Sequence, residues 1–90
     1  MEVQNLGAVP VFNCLVYIST DGDAGVRARV GNLADLEATA PSEREALAKI
    51  VTAFKQRVAQ LTQEETPIPW INPPLPVQPN EQQRYVPVHL

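Results

Sequence analysis

Apolar positions change their spacing along the chain, and each spacing predicts a different element. From Val11 to Ser19 the run VFNCLVYIS puts Phe12, Cys14, Val16 and Ile18 on one face and Val11, Asn13, Leu15 and Tyr17 on the other. Both faces are largely apolar, the pattern of a strand covered on both sides and placed centrally in a sheet. Thr20 to Gly25 is rich in Asp and Gly and reads as a hairpin turn. Val26, Ala28 and Val30 then alternate with Arg27 and Arg29, giving a half-buried strand with a cationic outer face. After a second turn over Gly31 to Asp35, Leu36, Ala38 and Ala40 alternate with Glu37 and Thr39. If the even-numbered residues of both strands face the core, antiparallel pairing sets Arg29 opposite Glu37 and Arg27 opposite Thr39. Such an exposed pair is a solvated contact worth less than ~1 kcal/mol.

The spacing lengthens at Pro41-Ser42-Glu43-Arg44-Glu45, where a capping Ser is followed three residues later by Glu. Glu43 and Glu45 also complement the positive end of the helix dipole. From there Leu47, Ile50, Val51, Phe54, Val58 and Leu61 recur at three and four, the apolar stripe of a long helix lying on the sheet. The helix is expected to end around Gln63 or Glu65, because Pro67 disfavours helical geometry at Thr66.

Beyond the helix, Thr66 to Gln83 holds six of the nine prolines, interleaved with Trp70, Ile71, Leu75 and Val77. Disordered linkers seldom carry this much apolar weight, so the tail is expected to pack on its own domain or on a neighbour. It ends in a strand-like alternation over 84–90, where Pro87 restricts the strand to a sheet edge. The predicted fold is α+β: a three-stranded antiparallel sheet in the order β-β-β-α, one long helix on one face, then a proline-rich tail ending in an edge strand. Residues 1–10 are a lead-in, 11–65 the β-β-β-α domain and 66–90 the tail, with its terminal strand at 84–90.

Composition narrows the functional classes. Ninety residues make one small domain, for which self-association is a natural route to stability. Seven scattered Lys and Arg against ten Asp and Glu, net charge −3, do not build a phosphate-tracking surface, so no nucleic-acid partner is expected. No run approaches the about 18 apolar residues of a membrane span, and no secretory leader pattern opens the chain; a cytoplasmic protein is expected. The single cysteine, Cys14, excludes an internal disulfide and reads as a core residue within the most apolar strand. His89 is the sole histidine, and Asp21 with Asp23 flank Gly22 without the further ligands of a calcium loop. No catalytic, cofactor or metal residues are therefore assigned. Two PxxP spacings, Pro73 to Pro76 and Pro76 to Pro79, are weak matches in so proline-rich a segment.

The segment GVRARVGNLADLEATAPSEREALAKI resembles the HicB-like antitoxin domain. Gly25 precedes the second strand, Leu33 fills the central Leu of the turn, Ser42 takes the helix cap, and Glu45-Ala46-Leu47 matches the helix opening. The likeness covers roughly residues 11–61, with Gly31, Asn32, Ala34 and Asp35 standing where the family's turn carries prolines and glycine. It implies a truncated ribonuclease-H-like fold that binds a small toxin ribonuclease without catalysing a reaction. In place of the family's usual DNA-binding module, the residues after the helix are proline-rich.

The expected function is a noncatalytic protein-binding module acting as a homo-oligomer or on a small toxin-like partner. Tyr17, Trp70, Tyr85 and Val88 are its expected contacts, because aromatic anchors dominate interfaces. The alternatives are an orphan structural or oligomerisation protein and a small metal-dependent hydrolase using Asp21, Asp23 and His89.

Overall fold

The computed structural model describes residues 11–20, 22 and 25–90. The lead-in 1–10 lies outside the described residues, as do Asp21, Asp23 and Ala24 of the expected first turn. The elements run β1 (Val11–Thr20), β2 (Val26–Val30), β3 (Glu37–Ala40), α1 (Glu43–Gln63) and β4 (Gln82–His89). They form an antiparallel sheet of order β3-β2-β1-β4, with α1 across one face. The fold is therefore α+β, and the expected edge strand of the tail joins the other three in one four-stranded sheet. The terminal strand pairs with β1 continuously from Val11↔His89 to Ile18↔Gln82. Its alternation begins two residues earlier than the sequence suggests, because that pairing extends over Gln82 and Gln83.

The inner face carries the core. Cys14, Val16 and Ile18 of β1, Ala28 and Val30 of β2, Ala40 of β3 and Val88 of β4 pack with Ala46, Ile50, Phe54 and Val58 of α1. The deepest line on α1 is thus a row at spacing four that begins at Ala46, a residue too small to stand out as hydrophobic. Leu47, Val51 and Leu61 of the expected stripe are half-buried beside it. Burial pushes the Cys14 thiol up to about 12, so it stays protonated at neutral pH and packs as a small apolar group.

Both helix ends are built locally. The Ser42 hydroxyl accepts from the Glu45 N–H at 3.2 Å, as the capping pattern requires. At the other end the Thr66 N–H donates to the Leu61 carbonyl and the Glu65 N–H to the Thr62 carbonyl, a Schellman closure. It places Glu65 at φ 56°, a left-handed conformation that glycine takes without strain. Glu65→Gly is expected to stabilise the protein by about 0.5–1 kcal/mol, after allowing for glycine's greater freedom in the unfolded chain. A higher urea midpoint at unchanged slope would register the gain.

The proline-rich segment sets the direction of β4. β3 runs parallel to β1, and α1 returns antiparallel to both, so a strand placed directly after α1 would run parallel to β1. Instead residues 66–81 form a strap. Ile68 packs on the core and the Trp70 ring lies 5.8 Å from Phe12 and 6.0 Å from Phe54. The chain then passes the β2–β3 turn, where Ile71 N–H donates to Asn32 C=O. It crosses the outer face at Gly31 and Tyr17 and enters β4 beside Ile18. Crossing the sheet from end to end reverses the approach, and β4 comes back antiparallel. The sheet is covered by α1 on its inner face and by its own strap over part of its outer face.

Candidate functional site

The outer face divides into a strapped half and an open half. In the strapped half, Leu15 and Tyr17 are buried. The Tyr17 hydroxyl donates to the Leu75 carbonyl at 2.7 Å, and the Leu75 N–H donates to the Gly31 carbonyl at 2.8 Å. Glycine is required at position 31: the Tyr17 ring carbons lie 2.7 Å from where a Cβ would stand.

Arg29 caps this arrangement. Its guanidinium lies 4.8 Å above the Tyr17 ring, donates Nε and Nη2 to the two Glu81 carboxylate oxygens at 2.7 and 2.8 Å, and shares Nη2 with the Pro76 carbonyl. The Glu81 carboxylate also accepts from the Gln78 N–H at 2.7 Å. The hydrogen bond from Arg29 leads in holding the Glu81 carboxyl below the usual carboxylate range, against an opposing contribution from burial. The β2–β3 register is the expected one, with Arg29↔Glu37 and Arg27↔Thr39 opposed. The ion pair is different: Arg27 reaches diagonally to Glu37 at 2.7 Å, because Arg29 is committed to Glu81. A polar groove of about 350 Å³ beside these residues is lined by Arg27, Arg29, Glu37 and Glu81, charges that are paired with one another.

In the open half, Tyr85 is 68% exposed and Val11 51% exposed. Tyr85 lies opposite Leu15, Pro87 opposite Asn13 and His89 opposite Val11, all on the outer face. Of the four expected contact residues, Tyr85 stands on this surface. Trp70, 39% exposed, anchors the strap against Phe12 and Phe54. Tyr17 is buried beneath the strap and Val88 within the core, so both contact their own chain.

Neither sheet edge is left open for its full length. Leu15 turns both backbone groups toward β2, accepting from Gly31 N–H and donating to the Asn32 side-chain oxygen at 3.2 Å. Direction alternates along a strand, so Cys14 and Val16 turn toward β4, and by register Val86 and Arg84 turn back toward them. Pro87 therefore faces outward, and its missing N–H interrupts the free edge instead of the ladder. On the opposite edge Lys49 Nζ donates to the outward Thr39 carbonyl at 3.0 Å. At the end of β4, Arg84 meets Glu43 at 3.0 Å beside the helix N-terminus.

His89 lies at the end of β4 and is exposed, whereas Asp21 and Asp23 lie outside the described residues. Among the described residues no three His, Cys, Asp or Glu side chains come together as a metal-holding group, and no helix is long and apolar enough to cross a membrane. Sequence reasoning missed Glu81, Asn32 and Arg84. Each is a lone polar residue whose partner is distant in sequence, and no periodicity marks such a pairing. Comparison of the chain with protein-family models, with curated proteins and with solved structures finds no match.

Proposed function

We propose that this chain is a noncatalytic protein-binding module related to HicB-like antitoxin domains, and that it docks a protein partner on the open half of its outer sheet face. A second copy of the chain is the first partner, and a small toxin-like protein the second. The observation that carries this reading is Tyr85, a largely exposed aromatic side chain held on a paired strand opposite Leu15. A large aromatic fixed in this way loses little freedom on binding and suits the centre of an interface. Pro87 and Lys49 disfavour growth of the sheet at either edge, so the reading favours docking face to face. The strand-strand-strand-helix order and the Ser42 cap support the relation to the antitoxin domain.

Light scattering of the full chain over increasing concentration tests the first partner. The expected mass is a multiple of 9.9 kDa. Tyr85→Ser should weaken association by at least about tenfold while circular dichroism stays unchanged. A chain that remains monomeric to about 1 mM, the range of the weakest specific contacts, overturns self-association.

A further inference from the structure

The two covers of the sheet are attached in different ways. α1 holds the inner face through fully buried side chains, including Ile50, Phe54 and Val58. The central strap is more exposed, with Leu75 36% and Val77 42% accessible. Its prolines have no N–H to donate, so few bonds tie it to the outer face. These are Ile71 N–H to Asn32, Leu75 N–H to Gly31, Tyr17 O–H to Leu75, Arg29 to Pro76, and the Arg29–Glu81 pair.

We propose that residues 71–81, the part of the strap beyond the Trp70 anchor, are latched: the Arg29–Glu81 pair is the latch, and breaking it frees this part from Leu15 and Tyr17 while Trp70 stays seated on Phe12 and Phe54 and α1 and the four-stranded sheet stay folded. Two features make this release local. The strap's ends are secured independently, by the Schellman closure after α1 and by the continuous pairing of β4 with β1. From Leu75 to Glu81 its side-chain contacts also gather around one guanidinium, while the backbone bonds of Ile71 to Asn32 and of Leu75 to Gly31 are made without it. Arg29 binds Glu81, bonds the Pro76 carbonyl and lies over the Tyr17 ring whose hydroxyl holds Leu75. Removing the charge on Glu81 removes the partner that orients Arg29, and the contacts at Pro76, Tyr17 and Leu75 weaken with it. Segments with few buried apolar contacts are those that open below the global unfolding free energy. This inference does not depend on the proposed partner.

The charged and polar groups facing Glu81 are Arg29 and Arg27 on β2, Glu37 on β3 and the Gln78 N–H of the strap. Glu81 is held ionised by Arg29, so its contribution to strap closure is complete above the ordinary carboxylate range. It is lost as pH falls through the lowered value.

Native-state hydrogen exchange on the full chain tests the latch, comparing wild type with Glu81→Gln. Protection factors at Ile71 and Leu75 should fall at least about tenfold in the variant, while Val16 and Val86 keep theirs. Acidification of the wild type should produce the same selective loss, and Glu81→Gln should show no further step in that range. Joint loss at Leu75 and Val16 would show that strap and sheet open as one unit, which overturns the proposal. Unchanged protection at Leu75 in Glu81→Gln would show that the pair is not the latch.

Discussion

Phe54→Ala is expected to lower unfolding free energy by about 3–5 kcal/mol, the range for truncating a buried phenylalanine. Phe54 is fully buried in the spacing-four row of α1 and carries the Trp70 ring at 6.0 Å on its far side. Truncation therefore empties the centre of the inner core and removes one of the two rings that seat the strap. A domain of 90 residues has roughly 5–14 kcal/mol in total, so the loss is a large part of its stability. Urea titration followed by circular dichroism measures it without relying on Trp70, whose surroundings the substitution changes. Phe54→Leu keeps most of the volume and should cost about 1 kcal/mol. A loss below about 1 kcal/mol for Phe54→Ala would mean that the site collapses without a cavity and that Phe54 does not organise the core.

Asn32→Ala carries the second large effect, about 2–3 kcal/mol, although the residue is only half-buried. The Asn32 side chain acts as a short continuation of β2. Its oxygen accepts from Leu15 N–H at 3.2 Å and its amide donates to the Asn13 carbonyl at 2.9 Å. It completes the ladder along the central strand where β2 turns away after Gly31. Its backbone carbonyl also receives Ile71 N–H of the strap. Truncation leaves a donor and an acceptor of β1 without those partners. Asn32→Asp separates the two roles: it retains an acceptor for Leu15 but sets a carboxylate oxygen against the Asn13 carbonyl, so it should not restore wild-type stability. Full recovery by Asp would show that only the bond to Leu15 matters. Both variants are read as urea midpoints at unchanged slope.

The legible parts of this fold are those governed by neighbouring residues. Ser42 and Glu45 lie within one helical turn, and the bond from the Glu45 N–H to the Ser42 hydroxyl is made. Val26, Ala28 and Val30 alternate with Arg27 and Arg29, and a short turn leaves little choice of register, so the pairing of β2 with β3 follows from pattern alone. β1 is apolar on both faces, and both are covered by the chain itself over Leu15 to Ile18. The candidate surface was less legible. Tyr85 and Tyr17 have similar sequence surroundings as aromatic residues in strands, yet one is exposed and the other buried, because the strap passes over β2 and the end of β1 but leaves β4 open.

Arg29 shows where pattern ends. Register puts it opposite Glu37, but alternation specifies a face and not a partner on that face. Glu81, 52 positions away, takes the guanidinium with two short bonds. Composition and period are enough for the strands, the capped helix, the apolar identity of β1 and the edge position of a strand containing Pro87, since each follows from backbone geometry over a few residues. The antiparallel return of β4, the division of the outer face, the Asn32 bridge and the Arg29–Glu81 latch come from the path of the strap. That path depends on long-range packing of Trp70 against Phe12 and Phe54 and of Leu75 beside Gly31, contacts whose partners no local spacing encodes.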